Sequence, residues 1–303
     1  MTFYKYNGAG NDFLVADNRD GSIHLTKKYI SEICDRHYGV GADGVMLLGT
    51  GCDGADFTMD YYNSDGSGGM MCGNGGRCIV AFASFLGLKP ASEDGRWSFV
   101  AADGEHRAEL LSSEGNTLTV RLQMIDISVA RHYDSLKNDA SASGWFVYTG
   151  TRHFVHFVDT PLTSEYVDAQ GRKLRHAEEF APLGANVNFV VKGNPLKVRT
   201  FEKGVEAETC ACGTGITASA AAAWLSSVQS SSVDSSTSSV HYSVMALNDE
   251  LAVDLTPTGS ARALREGILS GDILTGDRPG GDVLFTDVWL TGPASLVAKI
   301  DIL

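Results

Sequence analysis

Two short stretches carry the residue types best suited to chemistry. The first is Met71-Cys72-Gly73-Asn74-Gly75-Gly76-Arg77-Cys78, the second Ala211-Cys212-Gly213-Thr214-Gly215. Each has the form Cys-Gly-x-Gly, and each runs into an Ala-rich apolar segment, Ile79 to Leu86 and Ile216 to Leu225. Such segments predict buried helices. Each Cys then sits in a Gly-rich turn at a helix N-terminus, where free backbone N–H groups and the positive dipole end attract an anion. The same field lowers a thiol's pKa and makes it a better base or nucleophile. Two such sites in one chain point to one reaction centre approached from two sides.

Four readings compete for these turns. They are structural, with incidental small apolar Cys. Or Cys72 with Cys78, or Cys210 with Cys212, ligates a metal, although neither pair has the Cys-x2-Cys spacing typical of tetrahedral zinc. Or one Cys is the nucleophile of a Cys/His hydrolase with His153 or another His as base, which leaves the second turn unexplained. Or the two thiols are a facing acid/base pair, one removing a proton from a carbon acid and the other returning one from the opposite face. Only the last reading uses both turns. The two helix N-termini would then hold a carboxylate and stabilise the charge formed when Cα–H breaks.

The elements that must position these turns repeat. Thr2 to Tyr6 and Phe13 to Ala16 predict strands around the turn Asn7-Gly8-Ala9-Gly10-Asn11-Asp12, and Thr26 to His37 has helical spacing with Thr26 as N-cap. The loop Gly39-Val40-Gly41-Ala42-Asp43-Gly44 lacks the Lys-Ser/Thr of a phosphate loop and opens the strand Val45 to Leu48. Phe57 to Tyr62 is a strand ending at Asn63, before the first Cys turn. Trp97 to Ala101, His106 to Leu111 and Leu118 to Leu122 alternate like antiparallel strands. Asp134 to Gly144 is polar and predicts an exposed loop. A second pass then begins: strands at Trp145 to Tyr148, Phe154 to Val158, Asn186 to Val191 and Lys197 to Phe201, the last delivering Glu202 before the second Cys turn. The two Cys lie about half the chain apart, consistent with a duplicated fold. Ser226 to Ser239 predicts a surface loop. His241 to Met245 and Glu250 to Leu255 predict a hairpin, Thr256 to Gly281 is unassigned, and Val283 to Leu290 and Ser295 to Ile302 predict two strands joined at Thr291-Gly292-Pro293.

Composition sets the class. With 303 residues, 43% of them hydrophobic, the chain can bury two cores. A net charge of −13 argues against a nucleic-acid footprint or an anionic-membrane patch. The N-terminus has no signal-peptide pattern, and no stretch reaches the ~18 apolar residues of a membrane span. Six Cys in such a chain predict reduced thiols and a cytoplasmic setting.

With these residues in place, the chain resembles the diaminopimelate epimerases, cofactor-independent members of the two-thiol amino-acid racemase group. The resemblance runs through Gly8-Ala9-Gly10-Asn11-Asp12-Phe13, Gly39 to Gly44, Asn63-Ser64-Asp65-Gly66-Ser67 and the first Cys turn. It continues through Asn186-Val187-Asn188-Phe189, Phe201-Glu202-Lys203-Gly204, the second Cys turn and Trp289 to Ala294. It implies an α+β fold of two similar domains, each a barrel-like mixed sheet around a central helix, with the active site in the cleft between them. The expected boundaries are 1–125 plus about 290–303 for the domain carrying Cys72, and 126–289 for the domain carrying Cys212. It implies conversion of LL-2,6-diaminopimelate to the meso form, for lysine and cell-wall precursors, with no pyridoxal phosphate and no metal, by a homodimer. By resemblance Cys72 and Cys212 are the catalytic thiols, and His153 and Glu202 tune their protonation. Asn11, Gly44, Asn63 and Asn186 belong to the substrate-holding set, and backbone N–H groups at Gly73-Asn74 and Gly213-Thr214 cradle the reacting carboxylate.

The chain departs from the family pattern at the distal end of the substrate. Gly150-Thr151-Arg152-His153 stands where the family commonly has Gly-Asn-Pro-His, and Glu202-Lys203-Gly204 where it has Glu-Arg-Gly. Lys cannot make the planar two-bond fork that Arg makes with a carboxylate. Three expectations follow: Arg152 and Lys203 together grip the distal carboxylate; or Arg152 faces solvent and Lys203 substitutes imperfectly; or the substrate is a different free amino acid.

Overall fold

The computed structural model describes residues 1–69, 71–159, 162–230, 238–259 and 283–302. The chain divides into two units, Met1–Gln123 with Thr291–Leu303, and Met124–Leu290.

The first unit is a closed ring of eight strands. It contains β1 (Thr2–Gly8), β2 (Asn11–Asp17), β3 (Gly44–Thr50), β4 (Phe57–Asn63), β5 (Trp97–Ala101), β6 (Gly104–Glu114) and β7 (Thr117–Gln123). The last strand of the chain, β16 (Phe285–Asp301), completes it by pairing with both β7 and β1. Pairs β2–β3 and β4–β5 are parallel, the others antiparallel. Each parallel pair needs a crossover, and a helix supplies it. α1 (Lys27–Cys34) crosses outside, capped by the Thr26 hydroxyl, and lays Ile30 and Ile33 on Leu14, Val45 and Leu47. α2 (Gly73–Phe85) crosses through the interior and is buried from Asn74 to Ala83. A helix apolar on all sides has no solvent face to offer, so it fills the barrel axis.

The second unit repeats this plan. Its strands are β8 (Ala130–Tyr133), β9 (Gly144–Tyr148), β10 (Arg152–Phe157), β11 (Asn186–Val191), β12 (Leu196–Glu202), β13 (Ala207–Thr209), β14 (Val240–Met245) and β15 (Glu250–Pro257). Pairs β10–β11 and β12–β14 are parallel. α3 (Ser164–Leu174) crosses outside, and α4 (Gly213–Ser230) crosses through the interior. The outer layer packs Val167 and Leu174 with Phe154, Phe180, Phe189 and Phe201. Among the described residues no helix is long and apolar enough to cross a membrane.

The registers make the repeat exact enough to compare positions. Phe13 stands beside Gly44, and Gly44 beside Asn63; likewise His153 stands beside Asn186. Met46 pairs with Tyr61, as Asn188 pairs with Thr200. His153 therefore holds the place of Phe13, Asn188 that of Met46, Thr200 that of Tyr61, and Glu202 that of Asn63.

Three expectations are corrected. Ser226 to Ser230 is the last turn of α4, not loop, and the hydroxyls of Ser226 and Ser227 find partners there: Ser226 Oγ accepts from Trp145 Nε1 at 2.9 Å, and Ser227 donates to Trp224 O. Residues 231–237 lie outside the described residues, as does 260–281 of the unassigned stretch. Thr291-Gly292-Pro293 is no turn: Gly292, Pro293 and Ala294 pair with Val120, Thr119 and Leu118, so β16 runs unbroken. The loop at Asp134 to Gly144 is not wholly exposed, since Leu136 and Ala142 enter the core.

Candidate active site

In the first unit Cys72 is the N-cap of α2, half-buried and in extended conformation, and its carbonyl accepts from Gly76 N–H at 2.7 Å. Neither α2 nor α4 has an acidic residue in its first turn, so the dipole's positive end is not met by the helix's own carboxylate. Gly75 lies where a Cβ would come within 3.0 Å of Met46 Sδ, which lets the first turn of α2 sit close on β3.

Beside Cys72 a directed chain of polar groups fixes two amides. Arg77, wholly buried, donates from Nη2 to Asn74 Oδ1 at 2.9 Å. Asn74 Nδ2 donates to Asn11 Oδ1 at 2.5 Å, and Asn11 Nδ2 donates to Asp43 Oδ2 at 3.0 Å. A guanidinium at one end and a carboxylate at the other orient both amides between them. Asn63 is fixed likewise: its Oδ1 accepts from Tyr61 at 2.9 Å and its Nδ2 donates to Ser67 Oγ at 2.9 Å. Gly44 can offer only backbone, because a Cβ there would lie 2.5 Å from Tyr62 O.

In the second unit Cys212 precedes α4 and is buried, with Ile216 N–H donating to its carbonyl at 2.8 Å. Its Sγ lies 3.4 Å from Thr214 Oγ1, which lies 2.9 Å from His153 Nε2. Thr151 Oγ1 lies 2.8 Å from the same Nε2 and 3.2 Å from Thr214 Oγ1. Burial pushes the His153 imidazole down to about 3, so the ring is neutral. Burial pushes the Glu202 carboxyl up, with the Thr209 hydroxyl opposing. Gly213 begins α4 and Gly215 packs its first turn onto the sheet; a Cβ on Gly215 would meet Asn188 Oδ1 at 2.3 Å.

The distal expectations resolve differently. Arg152 neither faces solvent nor reaches toward the Cys212 turn. It is 6% exposed, donates to Gly184 O at 2.8 Å and Phe180 O at 3.0 Å, and lies over the Phe146 ring. The reason is strand alternation: His153 faces α4, so its neighbour Arg152 must face the outer layer. The grip shared by Arg152 and Lys203 is therefore corrected. Asp12 of β2 holds the equivalent position and also faces outward, to Arg36 and Lys5. Asn186 is engaged as well: Nδ2 donates to Arg152 O at 3.1 Å, and Oδ1 accepts from the Lys203 N–H at 2.8 Å.

Sequence reasoning missed Asn188, Thr200 and Tyr61. The signal was present: Asn186 and Asn188, Thr200 and Glu202, Thr151 and His153 are polar residues two apart in otherwise apolar strands, so each pair shares one face. Among the described residues, no three His, Cys, Asp or Glu side chains are grouped to hold a metal ion.

A family profile described as diaminopimelate epimerase matches residues 3–124 and 145–261. A diaminopimelate epimerase of Chlorobaculum tepidum is 39% identical over 87% of this chain and 99% of its own length. One of Aquifex aeolicus is 36% identical over 90% of this chain and 99% of its own. Among solved structures, a Bacillus anthracis phenazine biosynthesis protein of the PhzF family superposes with a TM-score of 0.67 at 14% identity, covering 100% of this chain and 99% of that one. A hydroxyproline epimerase from Agrobacterium vitis superposes with a TM-score of 0.62 at 13% identity, covering 99% and 91%. These two likenesses show the fold.

Proposed function

We propose, since the chain belongs to the diaminopimelate epimerase family, that it interconverts LL- and meso-2,6-diaminopimelate by proton transfer between two thiols and one α-carbon. One observation carries the reading: the same backbone device, a thiol at the N-terminus of a buried axial helix, is built twice. Inversion at a carbon needs two groups on opposite faces. One thiolate takes the α-proton and becomes a thiol, the electron pair is held on the carboxylate-stabilised carbon, and the other thiol gives its proton from the far side. The helix N-termini meet the developing charge through backbone N–H groups, so the reading calls for no pyridoxal phosphate and no metal.

The alternative of a Cys/His hydrolase fares worse. A base must turn a lone pair to the thiol. Asn188 Nδ2 donates to His153 Nδ1 and also to Phe154 O, so the imidazole's remaining proton lies on Nε2, the nitrogen that faces Thr214. A racemase of another free amino acid draws support from the distal end: Thr151 is turned to His153, and Arg152 is buried in the outer layer.

Turnover of LL-diaminopimelate against a panel of free amino acids, in deuterated water, separates these readings. The expected result is deuterium at the epimerised α-carbon and the highest kcat/KM for diaminopimelate. No exchange at any α-carbon would remove the epimerase reading, and preference for a shorter amino acid would replace the substrate. A cytoplasmic homodimer is part of the same proposal, supported by family resemblance.

A further inference from the structure

Behind His153 stand two side chains that the reaction as proposed does not use. Asn188 and Thr200 face each other across β11 and β12 and are both buried. Thr200 Oγ1 donates to Asn188 Oδ1 at 2.9 Å, and Asn188 Nδ2 donates to Phe154 O at 3.2 Å and lies 3.1 Å from His153 Nδ1. The Phe154 carbonyl can only accept, so the atom facing it is the amide nitrogen. That fixes the amide's orientation, and the second amide hydrogen then points at His153 Nδ1, which must accept. Gly215 presses α4 onto the same Asn188 oxygen, leaving no room for the amide to turn over.

We infer that Asn188 and Thr200 are positioning residues that hold His153 with its proton on Nε2, and so aim the Thr214 hydroxyl at Cys212 Sγ. Nε2–H reaches Thr214 Oγ1 directly, or through Thr151, whose hydroxyl is in contact with both. In either arrangement Thr214 Oγ1 receives a hydrogen, and its own hydrogen is free to point to a thiolate on Cys212 at 3.4 Å. The imidazole is thus a fixed donor and not a base. Its neutrality, enforced by burial, keeps the chain in one direction. The first unit has no counterpart: Phe13, Met46 and Tyr61 occupy the three equivalent positions.

The inference rests on Cys212 as a reacting thiol, yet its tests use no turnover, so failure of the epimerase assay leaves them intact. Two-bond proton–nitrogen spectra of the full chain with labelled His, assigned with His153→Gln, report the protonated nitrogen directly. The expected form is Nε2–H in the parent and Nδ1–H in Asn188→Asp, where a carboxylate replaces the donor. Nδ1–H in the parent overturns the inference. The second measurement is the iodoacetamide alkylation rate of Cys212 relative to Cys72, at one fixed pH, by mass spectrometry. Thr200→Val changes neither shape nor charge, so it keeps the fold and the test whatever Asn188→Asp does. It removes the bond to the Asn188 oxygen while the one to the Phe154 carbonyl remains, so the donor to Nδ1 loosens and the Cys212 to Cys72 ratio falls about threefold. In a Thr214→Val background the same substitution leaves the ratio unchanged. An equal fall in both backgrounds, or no fall in the parent, overturns the path through Thr214.

Discussion

The two units share a backbone and differ in the layer of side chains beneath it. Both place Cys-Gly-x-Gly at the start of an axial helix, and both set the second glycine against the sheet. Under the first helix that glycine meets Met46 and Met59; under the second it meets Asn188 and His153. In the first unit polarity lies beside the thiol, in oriented amides, Asn11, Asn63 and Asn74, which present hydrogen-bonding groups without titrating. In the second it lies in hydroxyls, an imidazole and the raised carboxyl of Glu202. Both units thus keep a helix N-terminus free of its own carboxylate and differ in the groups beside the thiol. On the proposed reading, the first half orients a substrate and the second sets the state of a thiol.

The comparison is broken most severely through the thiols themselves. If both act on one carbon, Cys72→Ala and Cys212→Ala each lower epimerisation by at least about a thousandfold, in line with loss of a positioned proton donor or acceptor. The two losses should be similar despite the different surroundings, because inversion needs both faces. Full turnover in Cys212→Ala would make the second unit's polar layer irrelevant to chemistry. Mild oxidation adds a check: a reductant-reversible loss of activity with a Cys72–Cys212 bridge supports facing thiols, and its absence counts against them.

The glycines sharpen the comparison at the next scale. Alanine at Gly215 would place Cβ 2.3 Å from Asn188 Oδ1 and 3.2 Å from His153 Cε1, and Asn188 is held by Thr200 and the Phe154 carbonyl. It cannot yield, so Gly215→Ala should destabilise the chain by about 1–3 kcal/mol. Alanine at Gly75 meets Met46 Sδ at 3.0 Å and Met59 Cε at 3.4 Å, ends of flexible chains that can move. There the helix-propensity gain of up to about 1 kcal/mol offsets the crowding, so Gly75→Ala should be near neutral. Urea titration of both variants measures this. Equal losses would mean that the two helix starts are packed alike.

How much of this was legible beforehand follows from the same contrast. The Cys turns, the axial helices and most strands were readable, because helix periodicity, glycine turns and alternation are local signals. The α4 end was not: Ser226 and Ser227 open a polar run in the sequence, and only Trp145 and the backbone reveal why their hydroxyls tolerate a helix. Pro293 suggested a break, yet its neighbours stay paired to β7, and the lost N–H does not interrupt the strand. At Arg152 the charge points to a substrate anion, but the strand parity points to the outer layer. One residue from His153 in an extended strand, Arg152 had to face the other layer. Asn188 shares its strand face with Asn186, and in the sequence one amide on that face accounts for the polarity of both.

Acid tests the comparison without changing any packing contact, since each unit should lose stability in its own pH window. Burial lowers His153 from 6.5 to about 3, so the folded state binds fewer protons there than the unfolded chain does. Its contribution is whole above pH 6.5 and is lost as pH falls toward 3. Across that window stability should rise with pH by at most about 1.4 kcal/mol per unit relative to His153→Gln. The opposing shift of Glu202 is common to both proteins and cancels in the difference. In the first unit burial alone would raise Asp12, but Arg36 and Lys5 outweigh it and hold the carboxyl down to about 2. Its contribution is whole above 3.8 and is lost as pH falls toward 2. Hydrogen exchange at pH 7, 5 and 4 should therefore show β10 and β11 losing protection first, with β2 and β3 unchanged. His153→Gln should abolish that early loss and Asp12→Asn should leave it as it was. Parallel losses in both units between pH 7 and 4 would show that the buried imidazole does not set the second unit's acid response.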